Sequence, residues 1–423
     1  MELLHLNDDC LRHLFTNLPL ADKFRVGCVC HRFAGVIREL IGKEKIQLGI
    51  VGKQLSLEEL TQFLFACGDA VRHVTAYRNC DFVYFAIFAK HCSNLEKVEI
   101  TQATFSGYWR TLQKLFFSCK SLRCVKLIDC RLKENIFISP EQHLESLHIR
   151  KSSTEGMCLL DFRNLVDLNL EFCLHIDPER FQNMLESNEM LKTLNIRGCR
   201  SLTNDRIGHA LAKHKNIEEI TLDNQFFYKT DVLPEFSNLK RIRIFGRNVH
   251  FHHDFLFKQL CDKHSGNLES LELFSWEFSD NTEWLPFQSL TKLTLVGALY
   301  FNDGFLEKIS TACKLLEKAD FRGSMADITD KGLLDFIRSS KNLNYLDIRD
   351  SNEYDEETFI TIGKIRCGMG STKQLIIASN NSKWTKLTRS RITQHDEMFK
   401  FLKLISSHGR KRVPTPNAQC TID

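Results

Sequence analysis

The 423-residue sequence lacks several features that would assign it to a specialised class of protein. Its net charge is only +4, too small an excess to indicate nucleic acid or an anionic membrane as a partner. No apolar run approaches the ~20 residues of a membrane-spanning helix. The first residues carry no basic segment ahead of an apolar one, so we do not expect a secretory signal.

Patterns of catalytic and metal-binding sites are missing as well. The sequence has no phosphate-cradling glycine loop, no Gly-x-Ser-x-Gly and no Cys-x-x-Cys. His250, His252, His253 and Asp254 lie close together, but a zinc site needs four ligands at defined spacing, and the adjacent His252 and His253 would point in different directions on any regular element. We interpret this segment as a solvated loop, and we expect no metal, no cofactor and no catalytic activity.

The chain instead repeats a six-residue phrase, which reads aliphatic, two variable residues, aliphatic, one variable residue, aliphatic. The steps between copies run from 21 residues (Leu144 to Leu165) to 29 residues (Leu239 to Leu268). A phrase at this period predicts a leucine-rich-repeat solenoid. The clear copies begin at Leu95, Leu122, Leu144, Leu165, Leu191, Ile217, Leu239, Leu268, Leu290 and Leu343, and degenerate copies begin at Val71, Leu316 and Thr372.

Each phrase predicts a short strand, because its alternating aliphatics would share one face. Stacked strands would form a parallel sheet on the concave face of an α/β horseshoe, with helices on the convex face. The spacing predicts return helices around 207–212, 305–309 and 333–337, while the shortest steps leave room only for extended chain or a single turn. We expect the solenoid to span residues 43–384 with about 12–13 units.

The 16 cysteines follow the repeat rather than a disulfide or zinc pattern. Cys130, Cys173 and Cys199 each fall three residues after the last aliphatic of a phrase, and Asn224 falls two residues after Leu222 one unit later. Side chains at that position can satisfy backbone groups in the turn that leaves the strand. We therefore expect a reduced, intracellular protein with buried thiols.

Residues 6–41 do not follow the phrase and show the spacing of three short helices. Such a small block can hardly bury a core alone, so we expect a partner or a neighbouring domain to cover its apolar faces. The side chains that mark the first helix are Leu11, Leu14, Phe15 and Leu18, and those that line the third are Val29, Phe33, Val36 and Ile37.

This block resembles an F-box. It has a leading Leu with acidic residues, a Leu/Phe-rich helix, a Leu-Pro turn and the distinctive element Val29-Cys-His-Arg-Phe33. It departs from the family at Asn7, where proline is usual, and at Phe33, where tryptophan is commonest. An F-box followed by leucine-rich repeats resembles the F-box/leucine-rich-repeat family of substrate receptors.

That resemblance implies that residues 1–42 bind a Skp-type adaptor of a cullin-based (SCF) ubiquitin ligase, in the cytoplasm or the nucleus. It also implies that Val29 and Phe33 pack between the helices. Two alternatives stay open: the same residues pack only against the first repeat, or the chain is a scaffold that is not coupled to ubiquitin transfer. The implied adaptor contacts are Leu6, Asp9, Leu11, Leu14, Phe15, Leu18 and Pro19.

The variable positions of the phrases would face the concave surface and bind a target protein. Phe245, Phe274 and Val296 follow three successive phrases, which predicts an exposed apolar cluster with side chains about 5 Å apart. The alternative is that a loop or the tail covers these three side chains. The charged candidates for target binding are Arg150, Arg197, Arg243, Arg322 and Arg349.

The phrase ends after Ser379. Within a C-terminal segment of residues 385–423, the spacing over 394–407 predicts a helix that caps the open end of the sheet. The short basic run from Arg410 to Arg412 is interpreted as part of a solvated, disordered tail.

Overall fold

The structure is a computed structural model, and its backbone contacts divide the chain into two compact units, Met1–Leu202 and Thr203–Asp423. Both units are built from strands joined by helical or extended return segments. The residues that the structure describes are 3–78, 82–104, 109–131, 143–152, 162–202, 205–227, 236–246, 253–351, 354–369, 373–380 and 401–406.

The first unit begins with the three helices of the N-terminal block, α1 (Asp8–Thr16), α2 (Leu20–Gly27) and α3 (His31–Ile41). Its later helices are α4 (Leu48–Gln54), α5 (Leu57–Cys67), α6 (Phe82–His91), α7 (Trp109–Ser118) and α8 (Pro178–Glu186). Its strands are β1 (Lys45–Gln47), β2 (His73–Tyr77), β3 (Lys97–Thr101), β4 (Cys124–Ile128), β5 (Ser146–Arg150), β6 (Asp167–Asn169) and β7 (Thr193–Asn195).

The second unit repeats the same plan. Its helices are α9 (Asp205–Ala212), α10 (His253–His264), α11 (Asp303–Ala312), α12 (Asp330–Ser339) and α13 (Glu356–Gly368). Its strands are β8 (Glu219–Asp223), β9 (Arg241–Phe245), β10 (Ser270–Phe274), β11 (Lys292–Val296), β12 (Lys318–Asp320), β13 (Tyr345–Asp347), β14 (Leu375–Ser379) and β15 (Leu402–Ser406).

Within each unit, neighbouring strands pair in parallel and in register with the phrase. Val98 lies opposite Val125 in the first unit, and Leu273 lies opposite Leu295 in the second. The phrase aliphatics are buried, while the residues between them lie on the other face of the sheet, which we call the open face. The predicted leucine-rich-repeat fold is therefore confirmed, because every phrase copy forms a strand of such a sheet.

The return segments agree with the predicted helices where the steps are long. Helices α9, α11 and α12 occupy the three predicted positions. Thr329 caps α12, since its hydroxyl accepts a hydrogen bond from the Gly332 amide at 3.1 Å. Of the shortest steps, the return from Leu268 to Leu290 is described and contains no helix, in agreement with the prediction, whereas the others lie largely outside the described residues.

Many of the described strands end at a residue in the left-handed backbone region. Gln102 (φ 57°), Asp129 (φ 55°) and Ser275 (φ 52°) occupy this position in different repeats, and Gly297 (φ 63°) does so without a Cβ. In each case the amide donates to a carbonyl of the next repeat, as from Gln102 to Ile128 at 2.8 Å. The turn thus extends the backbone ladder beyond the strand instead of leaving its groups unpaired.

The residue that follows this turn confirms the predicted role of the cysteines. The thiol of Cys173 donates to the Ile149 carbonyl at 2.8 Å, and that of Cys199 donates to the Leu170 carbonyl at 3.0 Å. Thirteen of the cysteines lie in the described residues, and all of these are free thiols. Ser324 takes the same position in the second unit, where its hydroxyl donates to the Leu295 carbonyl as the thiols do in the first unit.

Two strands were not predicted, and one of them corrects the C-terminal helix. Leu402–Ser406 forms β15, which pairs in parallel with β14, so a helix over 394–407 is wrong for these residues. The rest of that segment lies outside the described residues. The sequence signal for this strand was a further phrase, Phe399/Leu402/Leu404. The segment forms a strand instead of a helix because β14 offers an edge for backbone pairing. The other strand, β1, was not predicted because its phrase lacks the first aliphatic residue.

Replacing Ser324 by alanine tests the hydrogen-bonding position. Its hydroxyl donates to the Leu295 carbonyl at 2.7 Å and accepts from the Ala298 amide at 2.8 Å, and the side chain is buried. We expect Ser324→Ala to destabilise the second unit by about 1–3 kcal/mol, because both groups lose a buried partner. A urea melt followed by circular dichroism measures the change.

The matched control is Ser351→Ala, one repeat later. Ser351 is half-buried, and among the described residues it makes one long bond, to the Arg349 carbonyl at 3.4 Å. Its replacement should shift the midpoint far less, and equal shifts for the two variants would contradict the assigned role.

Candidate protein-binding sites

The three-helix block is completed by α5, which supplies the cover that so small a block needs. The Phe24 ring stacks on the Phe63 ring with centroids 3.7 Å apart and planes at 6°. Phe15 meets Phe33 edge to face at 5.1 Å. A partner or a neighbouring domain was expected over the apolar faces, and part of this cover comes from the chain's own α5, which carries the stacking partner Phe63.

Charged side chains hold the block in place. The Arg12 guanidinium donates to Glu39 at 2.9 Å and so joins α1 to α3. The Arg38 guanidinium donates to the Ala66 carbonyl at 2.6 Å, which joins α3 to α5. Lys23 is buried and forms an ion pair with Glu44. The block is thus fixed to the first repeats by both apolar and polar contacts.

The N-terminal segment is held by Arg32 of the distinctive element. Its guanidinium donates to the Leu4 carbonyl at 2.7 Å and to Asp8 at 2.8 Å, and it also contacts the Leu6 carbonyl. Asn7, which replaces the usual proline, caps α1 by accepting from the Cys10 amide at 2.9 Å. The departure at Asn7 therefore exchanges a rigid ring for a capping hydrogen bond.

On the open face of the first unit, two predicted arginines converge on one carboxylate. Arg150 and Arg197 come from different repeats, and both pair with Glu171, with 3.2 Å from Arg197 to the carboxylate. The Arg197 guanidinium also lies over the Phe172 ring at 4.9 Å from its centroid. Glu171 is buried, so the two guanidiniums are fixed in position.

On the open face of the second unit, the predicted apolar cluster is present. Phe245 lies opposite Phe274, and Phe274 lies opposite Val296. The two phenyl rings stack with centroids 4.3 Å apart and planes at 6°. All three side chains are half-buried, so each keeps accessible surface.

Paired charges flank this cluster on both sides. The Glu272 carboxylate accepts from Arg243 at 2.8 Å and from Lys292 at 2.5 Å. Further along the sheet, the Nε of Arg322 donates to Asp320 and that of Arg349 donates to Asp347, each at 2.8 Å. Each predicted arginine therefore lies beside a carboxylate that orients it.

Comparison with known proteins identifies the N-terminal block. Residues 3–45 match the F-box domain family. The chain therefore carries an F-box domain, and the strands that follow it form the leucine-rich-repeat fold described above. The domain order that the sequence resembles is therefore the one that the chain has, since leucine-rich repeats follow the F-box.

Three solved structures have similar backbones. A chain of the Rad7 and Elc1 complex in yeast is 13% identical, with 83% of this chain and 90% of that chain covered and a TM-score of 0.45. A chain of the TLR13–ssRNA13 complex is 13% identical (83% and 59% covered, TM-score 0.42). A leucine-rich-repeat protein of Leptospira interrogans is 14% identical (83% and 98% covered, TM-score 0.41). No curated protein sequence matches this chain.

The F-box buries two of the residues that the resemblance implies as adaptor contacts. Leu11 and Phe15 are core residues of the F-box, at 0% and 4% exposure. The side chains of Asp9, Leu14 and Pro19 are exposed, while those of Leu6 and Leu18 are half-buried. One face of α1 packs on α3, so only the implied contact residues on the other face of α1 are accessible to a partner.

The accessible apolar surface of the F-box includes side chains that the motif did not single out. Leu3 and Leu4 are 52% and 56% exposed, and Leu14 is 45% exposed. Val29 is 66% exposed, so the prediction that it packs between helices is wrong, whereas Phe33 is buried as predicted. Val29 precedes α3 and lies outside the helical face that packs. The sequence signal for Leu3 and Leu4 was a leucine pair just before α1.

The histidine-rich segment also needs a correction. His253 is buried at the start of α10 and stacks on Trp276 with centroids 4.5 Å apart. It exchanges hydrogen bonds with Asn224 at 3.1 Å and with the Glu277 backbone. A solvated loop is therefore wrong for His253, because its aromatic partner comes from the following repeat. His250 and His252 lie outside the described residues.

Within the described ranges, no helix combines the length and apolar character that would cross a bilayer. In the same part of the chain, no group of three or more His, Cys, Asp or Glu side chains is placed to hold a metal ion.

The Glu272 ion pairs predict a pH dependence of stability. Burial opposes ionisation, but hydrogen bonds from Arg243 and Lys292 outweigh it and lower the pKa of Glu272. Because the folded pKa lies below the unfolded value of about 4.3, the stabilisation is present above that value and is lost as the pH falls through the folded pKa. We expect Glu272→Gln to cost about 1–3 kcal/mol at neutral pH and much less in acid.

Urea melts of wild type and variant at neutral and acidic pH measure this difference. Glu283→Gln is the control, because Glu283 is 69% exposed and contacts only Lys258, at 3.8 Å, among the ion pairs of the described residues. A destabilisation by Glu272→Gln that persists unchanged in acid would contradict the ionic origin.

Proposed function

We propose that this chain is the substrate receptor of a cullin-based (SCF) ubiquitin ligase. The F-box binds a Skp-type adaptor, and the open face of the leucine-rich repeats binds a target protein. The chain itself performs no chemistry. Its role is to hold the target near the ubiquitin-carrying enzyme, which raises the effective concentration of acceptor lysines.

The observation that carries this proposal is the uncovered apolar surface of the F-box. Helix α5 packs on the core of the block, yet four apolar side chains keep about half or more of their surface exposed: Leu3, Leu4, Leu14 and Val29. Arg32 holds the segment that carries Leu3 and Leu4 against the start of α3. A fixed, exposed apolar surface of this kind supports docking of a partner protein.

The open face supports the second half of the proposal. Aromatic side chains beside arginines form the composition of an interface hot spot. Phe274 is stacked on Phe245, and Arg243 is held by Glu272, so ordering these groups on binding costs little entropy. Arg150 and Arg197 give the first unit a similar fixed pair. We propose these side chains as target contacts.

Changing Leu14 to aspartate tests adaptor binding. Leu14 is 45% exposed on α1, so the substitution should leave the F-box folded while placing a charge in an apolar interface. We expect purified Skp-type adaptor to bind the variant about 100-fold more weakly than wild type, as for an interface hot spot. Isothermal titration with the full chain measures the affinity.

Leu315→Asp is the matched control, since Leu315 is 47% exposed and lies in the second unit, after α11. It should bind the adaptor like wild type. Phe15→Asp, by contrast, should unfold the F-box, because it buries a charge in the core. If wild type gives no complex with the adaptor, or if Leu14→Asp binds equally well, the chain is instead a scaffold that is not coupled to ubiquitin transfer.

A further inference from the structure

The first unit carries a basic cluster on its open face that none of the assignments above uses. It consists of Lys45, His73, Lys97, Glu99 and Lys126, and we call it the Glu99 cluster. Its members come from four successive strands, β1 to β4. With strands about 4.8 Å apart, the cluster extends over roughly 14 Å.

One carboxylate lies at the centre of the Glu99 cluster. The Lys45 ammonium donates to Glu99 at 3.2 Å, and the Nε2 of His73 lies 3.8 Å from the same carboxylate. The strand register places Lys126 opposite Glu99, and Lys97 opposite His73. Three ammonium groups therefore surround Glu99, and although Lys126 also acts on Asp167 of β6, positive charge remains in excess.

The ionisation of the cluster reflects this excess. Burial and the nearby charges of Lys97 and Lys45 lower the pKa of His73, so the imidazole stays neutral at neutral pH. Burial works against ionisation of Glu99, but the hydrogen bond from Lys45 and the surrounding lysine charges outweigh it and lower its pKa. Both directions are those of an electropositive environment.

The contrast with the remaining open face is informative. Arg150 and Arg197 pair with Glu171, and Arg243 and Lys292 pair with Glu272. Lys97 and Lys126 are half-buried and, among the described residues, form no ion pair within 4 Å of a carboxylate. A ligand can therefore pair with these two ammonium groups without displacing a carboxylate, as it would have to do at the paired arginines.

We infer that the Glu99 cluster binds an acidic segment of the target protein. This inference rests on the proposed function, since it names the chemistry of part of the target-binding face. Carboxylate or phosphorylated side chains spaced along an extended peptide would reach Lys45, Lys97 and Lys126 on successive strands. Glu99 disfavours a continuous phosphate backbone, because it would lie among the contacting lysines and repel the closely spaced phosphates.

The test uses the full-length chain and fluorescein-labelled peptides. The probes are a short peptide of alternating glutamate and glycine, the same peptide with phosphoserine at each glutamate, and an uncharged version with glutamine. Fluorescence anisotropy should show binding of an acidic peptide and none of the glutamine peptide. The acidic peptide that binds more tightly identifies carboxylate or phosphate as the preferred source of charge.

Charge reversal at the cluster should remove this binding. We expect Lys97→Glu combined with Lys126→Glu to weaken binding of the acidic peptide by at least about tenfold. The matched control, Lys90→Glu with Lys120→Glu, makes the same change in net charge at exposed positions on or next to the return helices α6 and α7. It should alter affinity by no more than about twofold. If charge reversal prevents folding, the double variant Lys97→Gln with Lys126→Gln is used in its place.

Each result decides for or against the inference. Equal loss in the control, no binding of any acidic peptide, or tighter binding of a single-stranded RNA of equal charge would overturn it. Adaptor binding is measured on the same samples. An intact adaptor complex without acidic-peptide binding would remove the Glu99 cluster as a site and leave the proposed function standing.

Discussion

Burial of the aliphatic side chains of each phrase is the constraint on which the rest of this structure depends. These side chains leave water only when neighbouring repeats stack in register, so the position of every strand follows from them. The same constraint assigns the residues between them to the open face. Packing therefore determines where the functional side chains lie, although it does not determine their chemistry.

The solenoid could be predicted from the sequence because its signal is local and repeated. Each phrase lies within six residues, and its burial requires no knowledge of distant partners. The strands that were missed depart at the first aliphatic position, which holds Lys43 before β1 and Phe399 before β15. For β15, the helical spacing of Met398, Phe399, Leu402 and Ile405 competed with the phrase, and pairing with β14 decides in favour of the strand.

The candidate sites were only partly predictable, because they depend on contacts between distant segments. The sequence placed Leu11, Leu14 and Phe15 on one apolar helix face, but only packing on α3 separates the buried members from Leu14. His253 is buried because Trp276, from the next repeat, covers its ring. Likewise, Arg197 pairs with Glu171, whereas Lys97 has no carboxylate within 4 Å among the described residues, and a single phrase carries no information on such pairing.

The buried thiols that donate to strand carbonyls can be used to measure how often individual repeats open. Burial raises the pKa of Cys130 to about 11, so this thiol is almost unreactive toward alkylating reagents while its repeat stays closed. Reaction requires the repeat to separate from its neighbour, and the bulky product would keep the carbonyl of Ile100 from regaining its donor. The rate of modification at each such cysteine therefore reports how often that repeat opens, repeat by repeat along the chain.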